Sequence, residues 1–572
     1  MTRGLTALVF AVALVALFAR LGALPLLQPD EGRNAEVARE MKDAGAWLVP
    51  TYDGLPYLDK PAAYFRMVAV SMDAFGENET AARLPAALFG LGVVGLAWAF
   101  ARRAYGPRAA TLAALVVATT PLVIAFARIV IFDMVLAFFV IGAIFAGYVA
   151  EEHEGAARER WYLAAAAAAG IATLVKGPVG FFLPLLVLTV FHLVERRPGA
   201  LRRQFAPANL LLFLVIVLPW FFGVALRRHD FPYYGLVEET FHRLVTPAFH
   251  RTAPFWYYAP VIVAAFFPWS VLLPESLAAA WRARAGLARA DRLLMVWAVV
   301  VPAFFSLSQS KLPGYVLTAV VALAILVARV LDLAFEHPGG RAHRLAVRGA
   351  WALVAIAAAV AVAAALASRA SGWAAGVLGA GGAELARLPP ALGPLAWTFA
   401  LVAVLAAASG WRRDLRLACA AFAVPPLLLL TVAFGGARAY AEADSARGLA
   451  RRMPALAPGV ELACLECLPN GLPFYLRRTI TLVTRDGSET TSNYVTFLLR
   501  RTTAWPPGVV RLAALGRWLA WRDHPVFLMA DGPHRGTLDS LAAAAGGGGG
   551  AAGAVTAIAP GWWGALLPAP AP

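Results

Sequence analysis

The sequence predicts an all-α polytopic membrane core followed by a small soluble α/β domain, and three observations carry that prediction. Hydrophobic residues make up 60% of the 572, charged residues only 15%, and mean hydropathy is +0.67, well outside the range of soluble chains. Apolar runs near the length of a membrane span recur through the first three-quarters of the chain. Beyond Thr431 that texture gives way to short strand-like runs and turns.

About thirteen spans can be placed: 5–27, 80–101, 109–127, 134–150, 161–175, 178–194, 207–226, 255–278, 293–307, 315–332, 349–368, 393–409 and 415–434. The first resembles a signal peptide, but the run is long and no small-residue cleavage site precedes Gln28, so it reads as an uncleaved span. The loops 102–108, 151–160, 195–206, 279–292, 333–348 and 410–414, the last running into Arg416, then share one side and carry 19 Arg. The positive-inside rule places that side in the cytoplasm. The loop 28–79, Arg128, Asp133, Lys176, the loop 227–254 and the turn Ser308–Tyr315 fall on the other side, as a single site built from several loops would require. This divides the chain into a membrane domain over 1–436 and an extracytoplasmic domain over 437–572. The latter has strand-like runs at 480–484 and 526–529, a turn at Asp486-Gly487 and a flexible tract at Gly546–Gly550.

A net charge of +16 could suggest nucleic acid, but the Arg residues sit in short blocks between apolar runs and no nucleic-acid motif accompanies them. Anionic lipid headgroups are the expected partner of that pattern. Three cysteines exclude a disulfide scaffold; Cys464-x-x-Cys467 is expected to form a local disulfide or a packed pair rather than a zinc site. Of 50 basic residues only Lys42, Lys60, Lys176 and Lys311 are Lys, which points to places where a compact ammonium is wanted in preference to a planar fork.

The stretch Gln28–Glu79 concentrates charge: ten carboxylates and five Lys or Arg beside a hydrophobic span. Charge so near a bilayer is costly and, where it recurs, is usually paired and functional. Arg33–Ala44 reads as a short amphipathic helix with Val37 and Met41 on one face, stopped by Gly45 and anchored by Trp47. Pro61–Phe75 reads as a second, closed by Gly76. Both are expected in the headgroup layer. The plainer account makes Asp30 a helix cap and Asp59 a helix-start residue.

Taken together, Asp30-Glu31-x-Arg33, Ala35-Glu36-x-x-Arg39-Glu40-Met41, Trp47-Leu48-Val49-Pro50 and Pro56-Tyr57-x-Asp59-Lys60-Pro61 resemble the first loop of the aminoarabinose transferase and protein O-mannosyltransferase superfamily, membrane enzymes of GT-C type. Further motifs keep the order: Ala82-Arg83-Leu84-Pro85, Arg128 with Asp133-Met134, Lys176-Gly177-Pro178, Arg251 with Pro254–Tyr258, Phe267–Ser270, and Phe304–Ser308 with Lys311–Tyr315. The resemblance covers about residues 20–320. The chain departs from it at Asp59, Ala62 and Asn34, where the family usually has Glu, Pro and an aromatic residue.

The resemblance implies a GT-C-like fold and transfer of a sugar, with inversion, from a polyprenyl phosphate to an envelope acceptor such as lipid A or protein. Such chemistry needs cations for the leaving phosphate and carboxylates for the acceptor and sugar. Lys60, Arg251 and Lys311 are the expected phosphate contacts; Lys176 is a fourth, or a lysine snorkelling from a span end. Asp30, with Glu31 beside it, is the candidate base, and Asp133 would orient Arg or sugar hydroxyls. Arg33, Asp59 and Arg128 complete the substrate contacts with Tyr57 and Tyr315, whose alternative is the aromatic belt. No metal is required, since the first loop has no Asp-x-Asp; a divalent ion near Asp59 and His250, with His242, is the one arrangement the sequence offers. Two rival classes remain. A transporter should show paired repeats with charge at mid-depth, and a scaffold would leave the loop charges without a role.

Overall fold

A computed structural model of the chain describes residues 3–235, 238–239, 253–282, 286–377, 389–545 and 554–570. It consists of two compact units: Met1–Leu21 with Arg83–Pro219 and His242–Ala439, and Gly22–Ala82 with Trp220–Phe241 and Tyr440–Pro572.

The first unit is helical, and the chain is a multi-pass membrane protein. Among the described residues eight helices are long and apolar enough to cross a bilayer, and two bent pairs bring the number to ten. Arg3–Phe18 and Val179–Val194 are shorter apolar helices. Each of the thirteen apolar runs overlaps a helix, but 5–27 outlasts its helix and 255–278 is a pair bent by 112°. The first helix ends at Phe18 and not near residue 27: Arg20 takes φ 54°, which no helix continues, and later side chains hold carbonyls around this end. Arg128 donates to the carbonyls of Ala16 (3.0 Å) and Ala19 (2.7 Å), and Arg83 to that of Leu21 (3.0 Å). Pro107–Ala118 and Pro121–Ala127 meet at 63°. Pro121 cannot donate to the preceding turn, and the Thr119 and Thr120 hydroxyls bond back to Leu115 and Val116.

Several arginines of the Arg-dense loops are structural rather than free for lipid. Arg203 pairs with Glu151 (2.7 Å), Arg108 with Asp332 (2.6 Å) and Arg292 with Glu195. These carboxylates are nearly buried, and each such pair ties two helix ends together.

The second unit is the α/β body. Its central sheet holds β3 (Glu461–Leu465), β4 (Thr481–Thr484), β5 (Val509–Arg511), β6 (Val526–Asp531), β7 (Thr556–Ala559) and β8 (Trp562–Leu567), in the order β5-β4-β3-β6-β8-β7. The first four run parallel, while β8 pairs antiparallel with both β6 and β7. The strands β3 and β6 are apolar apart from Glu461 and Asp531 at their ends, because a parallel sheet is covered on both faces. Cys464 and Cys467 form a disulfide with Cα atoms 5.5 Å apart. The tract Gly546–Gly550 lies outside the described residues.

The first loop belongs to this unit. Asp30–Ala44 is a helix closed by Gly45 at φ 62°, where a residue with a Cβ would be strained. Glu31 to Met41 are all buried, so this helix, expected as an amphipathic helix in the headgroup layer, packs its charged positions inside the unit. Its charges can be buried because partners meet them: Arg39 binds Glu36 through two 2.7 Å bonds and Asp43 through a third, and Glu40 accepts from the Gly54 backbone at 3.2 Å. Gly32 packs against Gly471, where an added Cβ would stand 2.5 Å from the facing Cα. Next come β1 (Thr51–Tyr52) and β2 (Leu55–Pro56), a hairpin turned by Asp53-Gly54 with both residues at positive φ. The second loop helix is Ala63–Phe75, with Gly76 at φ 82° after it.

Candidate active-site residues

Asp30 opens the first-loop helix after Pro29 and makes no capping bond, so the helix-cap account does not describe it. Its partner is Arg33, one turn on. Arg33 is itself fixed: it donates to the Thr491 carbonyl (3.1 Å) and hydroxyl, and it lies over the Tyr57 ring at 5.7 Å. The Arg33 side chain is only 9% exposed, whereas that of Asp30 is 45% exposed. A carboxylate is thus held from behind by a locked guanidinium and left open in front. Glu31 next to it is buried and accepts the Leu27 backbone N–H at 3.0 Å.

Around the Tyr57–Lys60 turn the same unit supplies more partners. Lys60 donates to the Asp59 carbonyl (2.6 Å) and pairs with Glu239. Asp59 accepts from the Tyr234 hydroxyl (2.7 Å) and from the backbone N–H groups of Tyr494 (2.7 Å) and Asn493 (3.1 Å). It therefore closes the start of the helix Asn493–Arg501, and both its oxygens accept hydrogen bonds. Tyr57 is buried edge-on to Tyr52 and Phe65, and burial raises the pKa of its hydroxyl. Burial likewise pushes the Glu36 carboxyl up to about 7, against the pull of Arg39.

The membrane unit holds a second group. Lys176 pairs with Asp133 at 2.6 Å and lies over the rings of Phe132 (4.9 Å) and Tyr315 (5.1 Å). At 10% exposure its side chain does not snorkel. Gly314, ahead of Tyr315, allows this approach: a Cβ there would stand 2.7 Å from Phe126 and 2.9 Å from the Asp133 carboxylate. Lys311 is buried and donates to the Ser308 carbonyl at 2.6 Å. Arg128 donates to carbonyls around the end of the first helix, as described above. Arg251, His242 and His250 lie outside the described residues. Among the described residues no group of three His, Cys, Asp or Glu could hold a metal ion.

Sequence reasoning missed Glu239, Tyr234 and Thr491, the partners of Lys60, Asp59 and Arg33. Glu238-Glu239, the acidic pair in the 227–254 loop, was the available signal for the first. Nothing in the sequence pattern marked the other two.

Comparison with known proteins agrees with the loop motifs. Residues 59–222 match the family model described as dolichyl-phosphate-mannose-protein mannosyltransferase. Relatives include the undecaprenyl phosphate-alpha-4-amino-4-deoxy-L-arabinose arabinosyl transferases of Edwardsiella ictaluri and Aeromonas salmonicida. Each is 32% identical, over 53% of this chain and 55% and 56% of their own lengths, so the chain spans about half the length of the curated relatives it matches. Crystal structures of ArnT from Cupriavidus metallidurans agree along the whole chain at 29% identity. The form bound to undecaprenyl phosphate gives a TM-score of 0.82 with both chains fully covered, and the apo form gives 0.81. The resemblance read from the first loop is borne out, and the fold is that of the ArnT structures.

Proposed function

We propose that this chain is an inner-membrane glycosyltransferase that moves a sugar from an undecaprenyl-type phosphate to an envelope acceptor, lipid A or protein, on the extracytoplasmic face. The observation that carries the reading is the whole-chain likeness to a structure holding undecaprenyl phosphate. The disulfide in the C-terminal unit supports the location, since such bonds persist in oxidising compartments.

Transfer breaks the bond between C1 of the sugar and the donor phosphate oxygen, and the phosphate leaves on the polyprenyl chain. Lys60 is assigned to that leaving anion, because a fixed ammonium in a low-dielectric setting stabilises charge as it develops. The approaching anion shares Lys60 with Glu239. Asp30 takes the proton of an acceptor hydroxyl as its oxygen attacks C1 from the opposite side, and Arg33 positions it. Arg251, Lys311, Lys176, Asp133, Tyr315 and Arg128 keep, as proposals, the donor roles that the resemblance implies. Asp59 and Tyr57 are assigned to holding the loop in shape, and no metal is assigned.

Mass spectrometry of envelope lipids and glycoproteins, with and without the gene, tests this reading. Loss of one sugar from lipid A or from proteins on deletion, restored by the wild-type gene, is the expected outcome. Unchanged lipids and glycoproteins under conditions where the protein is made would contradict it.

A further inference from the structure

In the C-terminal sheet the parallel strands run outward from β3 through β4 to β5, and the chain then returns to set β6 on the other flank of β3. The two crossings use different faces. Val495 and Leu499, between β4 and β5, pack with Leu55 and Val509. Leu515 before β6 and Leu538 after it pack on the face carrying Leu465 and Leu528. The crossing from β4 to β5 therefore lies on the face opposite to the segments that enter and leave β6. The crevice outside the carboxyl ends of strands at such a reversal is where open α/β sheets bind ligands.

Polar side chains from adjacent strands gather at that edge. Glu466 directly follows β3, Arg485 follows β4, Asp531 ends β6 and His534 lies just beyond it. Arg485 pairs with Glu466 at 2.8 Å, while His534 stands 2.6 Å from Asp531 through Nδ1 and 3.6 Å from Glu466 through Nε2. The Glu466 backbone has φ 47°, a region that side-chain-bearing residues rarely adopt. Trp562, half-buried, opposes Asp531 in the antiparallel register of β6 with β8, which puts the indole on the same face at the same edge. None of these five residues belongs to the transfer machinery assigned above, and the core cluster of the sheet does not include them.

Their chemistry selects a ligand. The two carboxylates only accept, Arg485 only donates, and His534 can do either. A phosphate would face both carboxylates, and no metal-holding group of three exists among the described residues. Vicinal hydroxyls, which donate and accept together, fit this set, and the apolar face of a sugar ring fits an indole. The geometry points to a carbohydrate-binding site at the carboxyl edge of β3, β4 and β6, with Glu466, Asp531, His534 and Arg485 on the hydroxyls and Trp562 against the ring. This gives the C-terminal unit a glycan-recognition role that stands apart from the transfer reading.

The test is a saturation-transfer NMR titration of the full-length protein in lipid nanodiscs with the methyl glycosides of glucose, galactose and mannose and with N-acetylglucosamine. At least one should bind saturably, and Asp531→Asn and Trp562→Ala should each weaken that binding about tenfold or more, the scale of losing a charge-assisted hydrogen bond. Glu466→Gln and His534→Gln, read beside the melting temperature, guard against a variant that fails to fold. No saturable binding by any of the four, binding unchanged in folded variants, or displacement of the sugar by inorganic phosphate would each overturn the proposal. The envelope mass-spectrometric result stays independent of all three.

Discussion

Asp133 and Lys176 stand 2.6 Å apart in the membrane unit, with side chains only 6% and 10% exposed, and the rings of Phe132 and Tyr315 close over the ammonium. Removing one partner of such a pair leaves the other charge buried alone, at a cost of about 3–5 kcal/mol, whereas replacing both is far milder. Lys176→Met and Asp133→Asn should each lower the melting temperature in detergent more than the double variant does. The double variant should remain inactive. Equal melting temperatures for all three would mean that the pair is not held in the protein.

Lys60 tests the cation assignment. Lys60→Ala should reduce transfer by about two to three orders of magnitude, the usual consequence of losing one preorganised anion contact. Lys60→Arg should be impaired too, because a planar fork does not reproduce a compact ammonium between Asp59 and Glu239. Kinetics on purified variants with matched melting temperatures measure this. Near-normal rates in Lys60→Ala would remove it from the reaction.

Glu36 predicts a pH effect on stability. Its folded pKa, about 7, lies above the ordinary carboxyl value of 4.5, so the fold prefers the protonated form. The sign follows: its contribution favours the fold fully below about pH 4.5 and is lost as pH rises through about 7. Melting temperatures taken from pH 5 to pH 8 should fall more steeply in the wild type than in Glu36→Gln, in which no proton leaves. Parallel curves would contradict the shift.

How much of this was legible in the sequence depends on how local each signal is. Every apolar run overlaps a helix because span length and hydropathy are properties of the run itself. Gly45 and Gly76 marked helix ends through positive φ, again a local matter. The end of the first helix at Phe18 was not readable, since the turn after it, with Arg20 at φ 54°, is held by Arg83 and Arg128 from far along the chain. The helix Asp30–Ala44 was misjudged for a similar reason. It is expected from sequence in the headgroup layer, and only the ion pairs and the close packing of Gly32 on Gly471 reveal a buried element. The hairpin at Asp53-Gly54 had its signal in plain sight, an Asp-Gly turn. Asp30 and Arg33 were found together by a motif, yet the Thr491 contact that fixes Arg33 is more than 450 residues away in sequence.

Asp30→Asn separates acceptor classes. With an acceptor hydroxyl the loss should be roughly two to four orders of magnitude in rate, with donor binding kept. With an acceptor phosphate, already ionised at neutral pH, no proton has to be removed and the loss should be milder. Single-turnover rates and donor affinity, measured on the same preparation, tell these apart. Weak donor binding with a normal rate for whatever is bound would make Asp30 a donor-positioning residue.

The most direct measurement supplies the purified protein in nanodiscs with undecaprenyl phosphate-linked 4-amino-4-deoxy-L-arabinose and lipid A, and follows both products by mass spectrometry. The account predicts a sugar-bearing acceptor, lipid A here or envelope protein when that is offered with its donor, and free undecaprenyl phosphate in equal amounts, formed only when donor and acceptor are both present and suppressed in Lys60→Ala. A folded protein that leaves this donor intact, and leaves intact undecaprenyl phosphate-linked hexoses offered with lipid A or with envelope protein, would contradict it.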